Sequence, residues 1–397
     1  MIPTWLGLLL ALAALLSISQ RSLYLAMFAA ALILGLFTLP LVRLAGAFLE
    51  LLRDPGIGLL TLVVGLIPLI GGGLEASGRM EELVRNMPLG RRASLAASSA
   101  LLGMLPMPGG ALLSAPLVGL AGGEVAGALK AAVNVWFRHI LYLVYPLGPA
   151  LIASAKVAGL EVYQAIPFLL PFFLLSILLG YLFLLRRVRE GRPDYGRFSR
   201  RGLIIPLGII LAAPATDLIL KNAFPLPVGE LGTVVGVLLS LLLVALFGGL
   251  GLAELTQIGR KMRIWRFALI IPGMFFFLKV FQASPAPEVL SRLALPPAGL
   301  IVGGGFLLGL ITGRISAPAA IIIPILTAEA GTGPLSLPVF ALIFYSIFLG
   351  YLLTPVHPCI SVSAEYFRVP LRLFLRELAP PAGLALAVTA ALAMVLT

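Results

Sequence analysis

The chain has 397 residues, of which 60% are hydrophobic and 11% charged, and a net charge of +12; its mean hydropathy is +1.10. No soluble domain hides that much apolar surface, and runs of about 20 apolar residues, the length a helix needs to cross ~30 Å of hydrocarbon, recur along it. The basic residues sit in short loops beside apolar runs, as a positive-inside bias requires, so the charge implies no nucleic-acid partner, and the one cysteine, Cys359, excludes an intrachain disulfide framework and any multi-cysteine metal site.

In chain order, ten stretches read as full crossings: about 2–19, 21–42, 55–77, 130–155, 163–185, 203–220, 229–252, 267–283, 337–360 and 380–397. The opening "MIPTWLGLLLALAALLSIS" lacks the basic flank of a cleaved signal peptide and reads as a retained first span. Two further apolar stretches, 94–122 and 298–325, are broken in the middle by "LPMPGGALLSAP" and "ITGRISAPAA". Amphipathic runs around 44–53, 81–92 and 255–265 read as interfacial helices.

Charge orients the spans. The loop "RRVREGRPDYGRFSRR" holds the densest run of arginine and is placed in the cytoplasm. If both broken stretches are re-entrant hairpins, 20 of the 28 Lys and Arg residues fall inside, 5 fall outside, and Arg138, Lys279 and Arg314 lie at membrane depth. A crossing at 94–122 would move Arg85, Arg91 and Arg92 outside, so hairpins fit better. The expected address is the cell membrane.

The two halves also resemble each other. "EELVRNM" at Glu81 matches "PEVLSRL" at Pro287, "LLGM" at Leu101 matches "LLGL" at Leu307, and "YPLGPALIASA" at Tyr145 matches "TPVHPCISVSA" at Thr354. The expected fold is therefore an all-α polytopic membrane protein with two inverted-topology repeats of about five crossings and one re-entrant hairpin each. Repeat 1 covers 1–185, a basic linker 186–201, and repeat 2 covers 202–397. In the stretches 130–155 and 337–360, prolines flank Gly148 and His357 and must unwind the helix, and hydrocarbon tolerates unpaired backbone only where it is buried in protein or lines a cavity.

The expected substrate site joins the four breaks: Pro108, Gly109, Gly110 and Ser114 in the first hairpin, Gly148 in the first unwound crossing, Thr312, Gly313, Arg314 and Ser316 in the second hairpin, and Thr354, His357 and Ser361 in the second unwound crossing. Arg314 stands out because a charge at the bilayer centre costs about 2.5–3.5 kcal/mol on insertion scales, and its planar fork suits a carboxylate or phosphate. Gly148, Thr354 and His357 are the candidates for coupling to Na+ or H+. Arg138 and His139 read better as a structural bridge between scaffold helices. Neither hairpin break contains Asp or Glu, and no Walker A loop, His-Glu-x-x-His zinc site or Gly-x-Ser-x-Gly elbow occurs, so neither an enzyme nor a cofactor is expected.

On "LPMPGGALLSAP" and "LTPVHPCISVSAEYF" the chain resembles an uncharacterised bacterial and archaeal family of the ion transporter superfamily, and "TPVHP" is similar to the Pro-Pro-His-Pro-Gly segment of gluconate permeases. The resemblance covers essentially the whole chain. It implies a dimerising scaffold, a transport domain that moves as an elevator, and substrates such as dicarboxylates, gluconate, lactate, arsenite or sodium. Pro106–Gly110 departs from the Ser-Asn-Thr hairpin tips of dicarboxylate carriers. The first expectation is an ion-coupled transporter of a small organic anion; the alternatives are a cation/proton antiporter titrating His357 or Glu75, and a lipid-carrier translocase binding a phosphate head group.

Overall fold

A computed structural model describes residues 2–19, 21–104, 110–191, 198–291, 296–330 and 334–397. Their regular structure is helical and divides between Phe183 and Arg200 into two runs of helices. The first pass is α1 (Ile2–Ser19), α2 (Leu23–Thr38), α3 (Leu41–Arg53), α4 (Pro55–Ala76), α5 (Arg79–Arg85), α6 (Arg91–Met104), α7 (Gly110–Gly122), α8 (Gly127–Ile140), α9 (Pro149–Val157) and α10 (Val162–Phe183). The second is α11 (Arg200–Ala223), α12 (Glu230–Gly248), α13 (Leu252–Met262), the pair α14 (Ile264–Ala268) and α15 (Ile270–Ala283), α16 (Ala286–Ser291), α17 (Gly305–Thr312), α18 (Ser316–Ala330), α19 (Leu337–Leu353), α20 (Pro358–Tyr366) and α21 (Leu371–Leu396).

Eight helical stretches among the described residues are long and apolar enough to cross a membrane, against the ten crossings expected. The stretch 21–42 gives α2, which stops at Thr38 because Pro40 holds Leu39 extended. The stretch 130–155 is divided by the unwound segment between Leu143 and Pro149 into α8 and α9. In contrast, the expected span 380–397 starts earlier: α21 runs from Leu371 straight through Pro380 and Pro381.

Packing repeats along with order. A Cβ at Gly103 of α6 would collide with the carbonyl of Arg138 on α8, and a Cβ at Gly309 of α17 would collide with the carbonyl of Ile347 on α19. Small residues let helix backbones approach where lipid gives no hydrophobic drive to association. The halves also interlock, with α2 packed on α15 and α12 on α4. The end of α7 meets the end of α20, where a Cβ at Gly119 would stand 3.8 Å from the Tyr366 ring, and Gly127 at the start of α8 lies against Phe367 and Val369. Its counterpart joins the segment after α18 to the end of α9, with Leu335 N–H donating to Ala158 at 3.1 Å.

The helices at the centre differ from those outside. Residues Phe340 to Leu352 of α19 are all buried, and α8 is buried on nearly every side. By contrast α11 and α12 turn large apolar side chains outward, among them Ile219, Leu242 and Leu246, a surface that only lipid or another apolar partner solvates well. The site lies at the centre, where the unwound segments of α8–α9 and α19–α20 face each other.

Candidate functional site

Each unwound crossing restarts in the same way. Gly148 and His357, both with extended backbone, occupy the N-cap positions of α9 and α20, and Pro149 and Pro358 follow at the first helical position. Proline is preorganised for that position because the missing N–H would have been unpaired anyway. The break in the stretch 298–325 is equally tight: α17 ends at Thr312, Gly313 takes φ +61° as its C-cap, and α18 begins at Ser316. The Thr312 hydroxyl donates to Leu308 O at 2.7 Å and accepts from Arg314 N–H at 3.3 Å, so it repairs the backbone that the break leaves open. Gly313 is in contact range of His357 N and Thr354 Cγ2, both 3.5 Å from where its Cβ would stand, which seats the hairpin break on the α19–α20 break.

These breaks enclose a cavity of about 440 Å³, within the roughly 300–1,000 Å³ typical of small-molecule sites. The N-terminal ends of α9, α18 and α20 all contribute to its wall, through Gly148, Ser316 and Pro358. Helix N-termini carry about half a positive charge and free N–H groups, a standing attraction for anions. Two guanidiniums add to it. Arg314 is half-buried in the second hairpin break, and Arg138 is 2% exposed on α8. Arg138 donates to Ser114 Oγ at 3.3 Å and lies beside the Cys359 sulfur, and its Nε has no partner. Among the described residues no carboxylate pairs with either arginine, and none lines the cavity.

Two tyrosines and a histidine run along one wall: the Tyr142 and Tyr351 rings are stacked with centroids 6.4 Å apart, and Tyr351 Oη is 2.8 Å from His357 Nε2. Behind it His139 is fully buried, with its ring 4.7 Å from that of His357. Asn134 holds the surroundings together by donating to Ser363 Oγ of α20 at 3.0 Å while accepting from Ser99 of α6 at 3.4 Å.

Of the expected site residues, Thr312, Gly313, Arg314, Ser316, Gly148 and His357 line this cavity. Ser114 sits just behind, as the acceptor of Arg138. Two expected hydroxyls are elsewhere: Thr354 is fully buried and accepts from Val356 N–H at 3.3 Å, which spends its oxygen on the break, while Ser361 is exposed on α20. Pro108 and Gly109 lie outside the described residues, and Gly110 opens α7. Glu75 is exposed near the end of α4, away from the cavity. Sequence reasoning missed Arg138, Tyr142, Tyr351, Met104 and Cys359 as cavity residues. The "FRH" triplet inside an apolar crossing is the available signal: Arg138 lines the cavity and also joins α8 to Ser114 of α7.

A family model described as a protein of unknown function, DUF401, matches residues 4–396. The chain belongs to the DUF401 family. No curated protein matches this DUF401 chain. Among solved structures it is similar to the Alcanivorax borkumensis YdaH transporter, whose crystal structure reveals an unusual topology: TM-score 0.62 at 17% identity, covering 98% of this chain and 97% of that one. At that identity the likeness is one of fold, and with the long apolar helices it makes the DUF401 chain a multi-pass membrane protein.

Proposed function

We propose that the protein is a secondary active transporter of a small organic anion, held between Arg138 and Arg314 where the helix breaks of the two halves meet. The observation that carries this reading is that two guanidiniums and no carboxylate line one cavity. A buried charge left unpaired costs several kcal/mol, so such a site is completed by an anion that arrives from outside. Three helix N-termini point the same way. The similarity in fold to the YdaH transporter agrees with it.

The proposed transport cycle rests on the same reading. The two passes through the same elements act as inverted repeats of the ion transporter superfamily, with α6–α7 and α17–α18 as re-entrant hairpins. Contacts at one end of the molecule support the first hairpin: Arg92 at the start of α6 donates to Val188 O at 2.8 Å, Arg187 pairs with Glu377 of α21, and the end of α7 meets the segment that leads into α21. The start of α6 and the end of α7 therefore share a face with the basic linker, the cytoplasmic side of the cell membrane. Hairpins and unwound crossings move as one body, in an elevator, against a scaffold of the outer helices that also forms a homodimer. Na+ or H+ couples the movement, at the carbonyls of the unwound Gly148 and Thr354 segments and at His357.

The antiporter alternative loses its carboxylate with Glu75, which is remote from the cavity. The test is uptake of labelled carboxylates and sugar acids into proteoliposomes, with sodium and proton gradients imposed separately. Gradient-dependent accumulation that Arg314→Gln removes is the expected result; uptake indifferent to both arginines would dismiss the anion site.

A further inference from the structure

Three potential metal ligands meet beside the cavity: His139 on α8 in the first half, and His357 and Cys359 at the α19–α20 break in the second. Their ligand atoms all lie within 4.8 Å of one another. His139 Nδ1 is 2.6 Å from the carbonyl of Val135. A carbonyl only accepts, so Nδ1 carries the proton and Nε2 of the neutral ring presents a bare lone pair. That Nε2 is buried and has no hydrogen-bond partner. His357 repeats the arrangement from the other half: Nε2 is 2.8 Å from the Tyr351 hydroxyl, and Nδ1 is buried and without a partner. Two orphaned ring nitrogens next to a thiol, each on a ring whose other nitrogen is anchored, match the way metal-ligating histidines are oriented by a carbonyl or hydroxyl behind them.

We infer that His139 Nε2, His357 Nδ1 and Cys359 Sγ form a three-coordinate site for a soft monovalent metal ion of the Cu(I) class. Thiolate and imidazole together suit copper and zinc, and charge chooses between them. Arg138 lies beside the sulfur and Arg314 on the same cavity wall. A thiolate with a monovalent ion adds no net charge next to two guanidiniums, whereas Zn2+ would add a further positive one. Binding forms an S–metal bond and releases the thiol proton to the aqueous cavity, with no change of oxidation state. Ligands about 2.0–2.3 Å from one ion stand roughly 3.7 Å apart in a trigonal site, so ligand atoms within 4.8 Å of one another need at most about 1 Å of closure. The metal would staple the two halves at their breaks. Nothing in this inference depends on the identity of the transported anion, and its test reads metal binding alone.

The experiment titrates purified full-length protein with Cu(I) held by a chromophoric chelator, and follows the bound metal by X-ray absorption. The expected result is one Cu(I) withdrawn per chain, coordinated by one sulfur and two nitrogens, with blocked alkylation of the chain's single cysteine. Cys359→Ser, the near-isosteric variant, should lose affinity by at least about 100-fold and His139→Gln by at least about 10-fold, at unchanged elution volume. Wild-type protein alone decides the matter if His139→Gln does not fold. Failure to compete with the chelator, a sulfur-only environment, or uptake of Zn2+ in preference to Cu(I) would each overturn the assignment; in the first case the two orphaned nitrogens hold no more than a water.

Discussion

In the first half the unwound crossing restarts at Gly148, whose cap position offers the cavity only backbone; in the second it restarts at His357, which adds an imidazole tied to Tyr351 at 2.8 Å. The backbone device is the same, with a proline at the first helical position and extended geometry at the cap, yet one copy is chemically silent and the other is not. Arginine is distributed just as unequally. Arg138 stands on the crossing that precedes the first break, while Arg314 lies in the break between α17 and α18. The two unwound crossings share a backbone device, and the side chains placed around each decide what the cavity can hold.

The largest expected effect tests the symmetric part. Gly103→Leu and Gly309→Leu each drive a side chain into a carbonyl, of Arg138 and Ile347 respectively. Because the obstacle is backbone, the penalty should exceed the about 1–3 kcal/mol usual for overpacking. Both variants should lose the monodisperse peak in size-exclusion chromatography; a variant that folds in one half only would break the equivalence.

Next come the arginines. Arg314→Gln and Arg138→Gln should each weaken anion binding by about 10- to 100-fold, the range set by about 1.5–3 kcal/mol for a charge-assisted hydrogen bond. The same substitutions remove an unpaired buried charge, so ligand-free protein should melt no lower than wild type. Calorimetric titration and a thermal melt on one preparation check both halves of that statement. Arg314→Lys, which keeps the charge but not the fork, should fall between wild type and Gln.

The two caps come third. His357→Ala leaves the Tyr351 hydroxyl short of a partner in a buried setting, an expected loss of about 1–3 kcal/mol in chemical denaturation. Gly148→Ala places a Cβ 3.2 Å from Tyr145 O at φ −65°, a conformation open to any residue, and should cost below about 1 kcal/mol. Equal losses would mean that the caps differ less than their side chains suggest. Between these two lies Gly313→Ala, where φ +61° penalises any Cβ by about 1–2 kcal/mol, read as a shift of the melting temperature by a few degrees.

Much of this fold could be read from the sequence because hydrocarbon leaves the backbone few choices. Apolar length marked the crossings, and Pro146, Pro149, Pro355 and Pro358 marked the places where they unwind. Pro40 also explains why α2 is shorter than the apolar run around it, an effect visible only once the helix is seen to stop ahead of it. Facing was far less legible. The helix α8 is buried almost all round, so hydrophobic periodicity carries no information on which side Arg138 and His139 point. The meeting of Arg138 with Arg314, and of His139 with His357 and Cys359, depends on contacts between halves that no local pattern encodes. Thr354 shows a different kind of local demand: its hydroxyl accepts from Val356 N–H within the break, a bond that no sequence pattern reveals.

The most direct measurement of the central claim, that Arg138 and Arg314 form one anion site, is the melting temperature of the purified protein against a panel of carboxylates, sugar acids, phosphates and neutral analogues, repeated on Arg138→Gln, Arg314→Gln and the double variant. The account expects at least one small anion to raise the melting temperature of wild type, its neutral analogue to have no effect, and each single variant to lose most of the shift. Stabilisation that survives in the double variant, or that follows neutral and cationic ligands instead, would contradict it.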